Sequence, residues 1–409
     1  MGQALREEYS DKLGYLDILH STSKGWITRA EINGGYKQWH YKYKELLEQN
    51  FKGENVFISL NTFYSTFRRI EYLKELKAQF IDLDIYKTKF TKEQILMNLE
   101  ANYFNKSIPR PNFIVDSGRG LYLIWLINSV PSKALPLWKA VEDYFYNVLK
   151  PLGADRQALD PTRILRVPGS INSKSNTKVE IIEQYDYLYD LREIQNNFLP
   201  ELDENSPKKK GRPSKTVFIH RERSLYYARI QDIIKLCELR GYDLKGHREL
   251  ILFLYRYYLC YFLEDTQKAL EDVLELNREF IYPLRETEVI RATRSSEKVY
   301  LSKDKQYKYK NKTLIELLDI TELEETYMTT IISDREYKRR NNEYNKKKYK
   351  EKLKSEGKMT KNEEIEQLRA KIKTLRAKGL LNKEISEHLD IPIKSLERHI
   401  TYMRKNGLL

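Results

Sequence analysis

The chain has 409 residues, 41% of them hydrophobic, with 73 Lys or Arg against 59 Asp or Glu and a net charge of +14. That apolar content excludes a fully disordered chain and, at about 100–200 residues per domain, leaves room for two to four domains, while the cation excess points to nucleic acid or an acidic membrane surface as partner. No apolar run approaches the ~18 residues of a membrane span, the start MGQALREEYSDKLG offers neither a secretory core nor the Ser or Thr of a myristoylation signal, and Cys237 and Cys260 are too few for a disulfide framework, so a cytoplasmic protein without membrane contact is expected.

Residues 1–200 read as mixed helix and strand. Short runs rich in β-branched and aromatic residues predict strands over 55–60 and 79–86. Thr91 caps a predicted helix reaching residue 101, with Ile95, Leu96 and Leu99 at helical spacing. Strands over 113–115 and 121–127 flank the turn DSGRG; a helix over 134–149 and a strand over 178–183 follow. Residues 201–215 are polar, hold Pro207, Gly211 and Pro213, and read as a basic linker. Residues 216–301 are helical throughout. Residues 302–360 read as a second basic linker, in which 335–354 alone carries +7. Residues 361–409 are helical again.

Three segments carry chemistry. In FIDLDIY, Asp82 and Asp84 stand two apart on a strand, so both carboxylates share a face, roughly 7 Å apart at the Cα. Paired oxygen ligands of this kind suit hard divalent cations; a half-exposed strand with two solvated acids is the alternative, although Asp is disfavoured in strands. In DSGRGLYLIW, Ser117, Gly118, Arg119 and Gly120 form a tight turn whose backbone N–H groups could approach a phosphate closely, or a simple hairpin. In ADRQALDPTRILRVPGSINSK, Asp155 and Asp160 add carboxylates while Arg163, Arg166 and Lys174 add cations. These could form surface ion pairs, or a further metal ligand beside an arginine clamp on a triphosphate.

Taken in this order, the three segments resemble the archaeo-eukaryotic primase superfamily, in the branch found in replication proteins of plasmids and other mobile elements. FIDLDIY is similar to its metal-binding hhDhD strand, DSGRGLYLIW to its SGxGxH nucleotide-binding turn, and the third segment to its last carboxylate followed by R-x-x-R-x-P-G-x-x-N-x-K, which includes Asn172. The resemblance covers about residues 50–185. It implies a two-metal Mg²⁺ or Mn²⁺ site on Asp82, Asp84 and Asp155, with Asp160 as the other candidate carboxylate. Nucleotide-binding residues would be Ser117, Gly118, Arg119, Gly120, Tyr122, Arg163, Arg166, Asn172 and Lys174. At one position the chain departs from the pattern: Tyr122 stands where the family usually has a histidine, and a phenol carries no positive charge near neutral pH. The helical stretch that runs from GHRELILFLYRYYL to REFIYPLRETEVIRATRS is similar to the helical domain that often follows such primases. The fold class expected is therefore an α+β catalytic domain, an antiparallel-rich sheet with helices, followed by an all-α domain and a C-terminal helix-turn-helix on flexible tethers.

Two further segments concern DNA. Lys210 and Arg212 lie in KKKGRPSK, which resembles the AT-hook core of minor-groove binders, or is merely a solvated linker. Residues 380–389 and 394–406 read as two helices around the turn Asp390–Pro392, with Ile385, Leu389, Ile391, Leu396 and Ile400 as their apolar seam. On a helix-turn-helix, Lys394, Ser395, Arg398, His399 and Tyr402 would contact bases or phosphates; a small protein-interaction domain is the alternative. The functional expectation is a mobile-element replication protein with primase-polymerase activity on single-stranded template. Its partners would be nucleoside triphosphates, duplex origin DNA and a separate helicase, since no G-x-x-x-x-G-K-[ST] loop is present. A replication initiator with weakened catalysis, and a DNA-binding regulator with a nucleotide-sensing domain, are the alternatives.

Overall fold

The computed structural model describes residues 14–202, 213–302 and 306–409. The chain forms two compact units, divided between Ile331 and Ile332.

The first unit opens with two antiparallel sheets. A four-stranded sheet has the order β2-β1-β3-β8, from β1 (Ile27–Ile32), β2 (Tyr36–Tyr41), β3 (Val56–Ser59) and β8 (Ile164–Arg166). A five-stranded sheet has the order β11-β6-β7-β5-β4, from β4 (Thr62–Phe63), β5 (Leu73–Leu83), β6 (Phe113–Asp116), β7 (Leu121–Pro131) and β11 (Glu180–Gln184). A small ribbon pairs β9 (Ile171–Asn172) with β10 (Thr177–Lys178). Helix α1 (Tyr43–Leu47) follows β2, and α2 (Lys92–Asn98) starts at Thr91, whose hydroxyl accepts from the Gln94 N–H as a capping box.

β7 is apolar over most of its length, and β5 is largely buried although it carries Lys74, Glu75, Lys77, Gln79 and Asp82, because both strands are covered. On one face lies α3 (Leu135–Leu149), whose Phe145 ring centroid is 4.6 Å from that of Trp125. β5 slips register between Leu76 and Ala78, and α3 meets the groups left around that bulge. The Trp138 indole donates to the Ala78 carbonyl at 2.8 Å, and the Phe80 N–H donates to Glu142 at 2.9 Å. Burial holds the Glu142 carboxyl well above the usual carboxylate range. A helical segment at 14–20 packs at the other side, with Tyr15 edge-on to Phe113 at 5.1 Å and His20 bonded to the Ser59 carbonyl of β3 at 3.0 Å.

After α4 (Leu191–Phe198) the chain becomes helical: α5 (Lys215–Leu239), α6 (Arg248–Leu263), α7 (Thr266–Glu279), α8 (Glu286–Ser302), α9 (Asn311–Leu317) and α10 (Glu322–Glu325). The expected flexible tethering of this part is not what the structure shows. Arg69, fully buried on the sheet side, pairs with Glu71 at 2.8 Å and with Glu279 of α7 at 2.5 Å. The Tyr255 hydroxyl of α6 donates to Glu71 at 2.8 Å. Arg223 of α5 pairs with Asp143 of α3 and with Glu264, and Glu264 also pairs with Arg156. The expected linker 302–360 divides as well. Asp232 of α5 accepts from the N–H groups of Thr329, Thr330 and Ile331 at 2.6, 2.6 and 2.8 Å, which fastens that strand of chain to the first unit.

In the second unit, α11 (Asp334–Ser355) turns the +7 run into a helix. It buries almost no apolar surface, and pairs such as Arg339 to Glu336 and Glu343, both at 2.7 Å, support it instead. Helices α12 (Lys361–Ala377), α13 (Asn382–His388) and α14 (Ile393–Lys405) close around Ile372, Ile385, Leu396, Ile400 and Met403. Leu389 and Ile391 pack against that core, so the seam expected from the sequence is the seam formed, with α12 adding Ile372. Asp390 takes a left-handed φ of 50° in the turn before α14, and the Ser386 hydroxyl donates to the Ile391 carbonyl at 2.6 Å. Lys210 and Arg212 lie outside the described residues.

Candidate active site

β5 ends at Leu83, and there the chain is zipped to a segment some seventy positions later. The Asp84 N–H donates to the Gly153 carbonyl and the Asp155 N–H to the Asp82 carbonyl, both at 2.8 Å, with Leu83 opposite Ala154. This pairing sets Asp155 beside Asp82 and Asp84. Two glycines make it possible. Gly153 has φ +91°, and a Cβ there would meet Thr88 at 2.6 Å and the Asp84 carbonyl at 3.1 Å. A Cβ on Gly120 would lie 2.1 Å from the Leu83 carbonyl. Gly120→Ala is therefore expected to push β7 off β5, costing about 1–3 kcal/mol of stability, measured as a lowered melting temperature.

Asp82 is half-buried. Burial and the Asp84 charge push its carboxyl up to about 7, Arg163 pulls it down, Asp155 raises it and Arg166 lowers it. The Asp84 and Asp155 charges add to the field on Asp82, and hard carboxylate oxygens are the donor type that a divalent cation of the Mg²⁺ or Mn²⁺ kind takes. As they stand, no group of three or more His, Cys, Asp or Glu side chains among the described residues is placed to hold a metal ion. Lys87 holds Asp84 at 2.5 Å, and the Tyr86 hydroxyl donates to the same oxygen at 3.4 Å.

Tyr122 pairs directly across from Asp82 on β7. Burial and the Asp82 charge push its phenol up to about 12, against a hydrogen bond from Arg166, so it stays neutral at physiological pH. Arg166 comes from β8 of the other sheet, its guanidinium 4.8 Å over the Phe57 ring and 3.5 Å from the Asn55 amide oxygen. Arg163 donates to the Gln157 carbonyl at 3.4 Å. The site thus lies between the sheets, acids on one and arginines on the other.

The glycine turn joins β6 to β7, with the Ser117 N–H donating to the Gly120 carbonyl at 3.0 Å. Gly118 has φ +97°, and a Cβ there would meet Ser175 at 2.4 Å. Asn172 ties the turn to the arginine segment: its amide donates to the Ser117 carbonyl at 2.6 Å, and its oxygen accepts from the Lys174 N–H at 3.1 Å. The Lys174 side chain is exposed. Arg119 stacks 3.9 Å over the Tyr86 ring. Lys92 braces the turn from α2, reaching both Asp116 oxygens at 2.7 Å and the Gly118 carbonyl at 2.9 Å.

Asp160 is not brought to this cluster. Both its oxygens accept from Thr162, at 2.8 and 2.9 Å, and it faces Arg68, Lys268 and Asp272. It fixes the turn that starts the arginine segment. Lys87, Lys92 and Tyr86 went unnoticed in the sequence; an aromatic and a lysine directly after the DxD strand were the available signal.

On α14, Lys394, Arg398 and Tyr402 are exposed and Ser395 and His399 half-buried. Arg369 of α12 lies 3.7 Å over the Tyr402 ring, and burial with Arg369 and Arg398 lowers the His399 pKa.

A protein of Clostridium perfringens named "Replication protein" is 68% identical over 400 residues, 98% of each chain. The chain belongs to the family of that replication protein. No family model matches. A cyanophage S-2L primase-polymerase domain superposes over 46% of this chain and 96% of its own, at 16% identity and a TM-score of 0.34. In this chain the acid and arginine cleft belongs to the first unit and the three-helix core to the second. No helix among the described residues is long and apolar enough to cross a membrane.

Proposed function

We propose that the chain is a replication protein that makes or extends primers by metal-dependent nucleotidyl transfer, and that its second unit binds duplex DNA. The backbone zipper that sets Asp155 beside Asp82 and Asp84, facing Arg163 and Arg166 across the cleft, supports this reading most. Asp82, Asp84 and Asp155 would hold Mg²⁺ or Mn²⁺, which supplies charge neutralisation and a more acidic primer 3′-hydroxyl. Arg163, Arg166 and Lys174 grip the triphosphate, the arginines as planar forks and Lys174 as a mobile point charge. The backbone of Ser117, Gly118 and Gly120, held by Asn172 and Lys92, orients that group. Tyr122 contributes a neutral donor, and the charge a histidine would bring comes from the Arg166 bonded to it.

In the second unit α13, the turn and α14 form the helix-turn-helix. Lys394, Ser395, Arg398, His399 and Tyr402 present its contact surface, and α11 adds phosphate contacts with a steep salt dependence. A separate helicase opens the duplex.

Primer synthesis on a single-stranded template, assayed with and without Mg²⁺ or Mn²⁺, tests the enzyme. A metal-dependent product is expected. One observation favours a second reading, an initiator that keeps the fold without the chemistry: the neutral phenol of Tyr122 beside Asp82. Footprinting of origin DNA with no product in either metal would select it.

A further inference from the structure

The loop after Asp84 reads Tyr86-Lys87-Thr88-Lys89-Phe90, and it is exposed on the rim of the acid cleft. Tyr86 is 51% exposed and Phe90 45%. Two aromatic rings thus stand exposed within five residues, interspersed with Lys87 and Lys89. Tyr86 is also held in place. Its hydroxyl reaches Asp84 at 3.4 Å, Lys87 lies 5.5 Å from its ring centroid, and Arg119 stacks over it at 3.9 Å. Arg119 comes from the glycine turn, which Asn172 and Lys92 immobilise, so both partners of the stack stand on braced backbone. Among the described residues no carboxylate pairs with Arg119, whose contact is the Tyr86 ring.

We propose that Tyr86 and Arg119 form a stacking platform for an unpaired nucleobase at the mouth of the carboxylate cleft. A planar phenol and a planar guanidinium offer broad, sequence-tolerant stacking surface, and Lys87 and Lys89 offer the adjoining backbone its counter-charge. The 3.4 Å from the Tyr86 hydroxyl to Asp84 places that base beside the carboxylate cleft. The inference rests on the primer-synthesis reading for what the base is doing there, but not for its binding. The base is supplied either by a template strand or by a free nucleotide.

The experiment uses the full chain with 2-aminopurine as probe, since its fluorescence falls when it stacks. One arm places it within a single-stranded oligonucleotide, the other supplies it as the free triphosphate. Wild type and Tyr86→Phe should quench the probe, whereas Tyr86→Ala should lose the quench and weaken affinity by roughly 5- to 150-fold in the arm that supplies the base. Arg119→Ala should show a smaller loss in the same arm. An abasic site in place of the probe should bind all variants alike. Quenching by Tyr86→Ala equal to wild type in both arms overturns the platform. Failure of primer synthesis in every variant, with Tyr86-dependent quenching intact, would instead overturn the enzyme reading and leave the platform standing.

Discussion

Asp82→Ala combined with Asp84→Ala is expected to lower primer synthesis by a factor of about 10³ or more, the scale of several kcal/mol of lost charge stabilisation, while duplex DNA stays bound. The variant removes two of the three carboxylates that the β5 zipper gathers. Its effect on the fold should run the other way. Asp82 sits desolvated beside two like charges, and its carboxyl is pushed up to about 7 for that reason. Removing that repulsion should leave the melting temperature unchanged or higher, so loss of synthesis with an undiminished melt identifies a functional rather than a structural role. Asp160→Asn gives the contrast. Its oxygens are committed to the Thr162 N–H and hydroxyl, so its replacement should register first as a lowered melt. Retained synthesis in the double variant would refute the site.

Much of this site was legible in the sequence where the signal is local. The paired glycines of the turn between two strands and the apolar seam of α13 and α14 are statements about neighbours a few residues apart, and each reappears in the structure. The expected strand over 79–86 instead stops at Leu83, so Asp84 sits at the N-cap of the turn Ile85–Lys87 rather than alternating with Asp82 along the strand. The Gly34-Gly35 pair between ITRAEI and YKQWHY was a hairpin signal of the same kind, passed over because β2 is an edge strand with mixed polarity. What the sequence conceals is distance. Choosing between Asp155 and Asp160 needs the pairing of residues 82–84 with 153–155, and nothing local announces it. Likewise Asp232, one acid in a long helix, discloses nothing of the three N–H groups near residue 330 that it holds. The polar composition of 302–360 reads as linker for that reason, since a helix held by ion pairs and a loop held by one buried carboxylate both look solvated in sequence.

Distance also governs the junction between sheets and helices. Arg69→Met is expected to destabilise the first unit by about 3–5 kcal/mol, the usual cost of removing one partner of a buried ion pair. Arg69 pairs with Glu71 and Glu279, and Tyr255 donates to Glu71. Removal of the guanidinium leaves two acids facing each other in a place where Glu279 is already raised above the usual carboxylate range by burial. A thermal melt read by near-ultraviolet circular dichroism measures the loss. Glu71→Gln added to Arg69→Met removes one uncompensated charge and should recover part of the stability, whereas additive losses would show that the two side chains do not act together. The consequence reaches the active site. The Arg156–Glu264 pair ties the residue after Asp155 to the same helical bundle, so loosening the bundle should lower primer synthesis at temperatures where the chain is still folded. If Arg69→Met melts like the wild type, the helices are not welded to the sheets through this network.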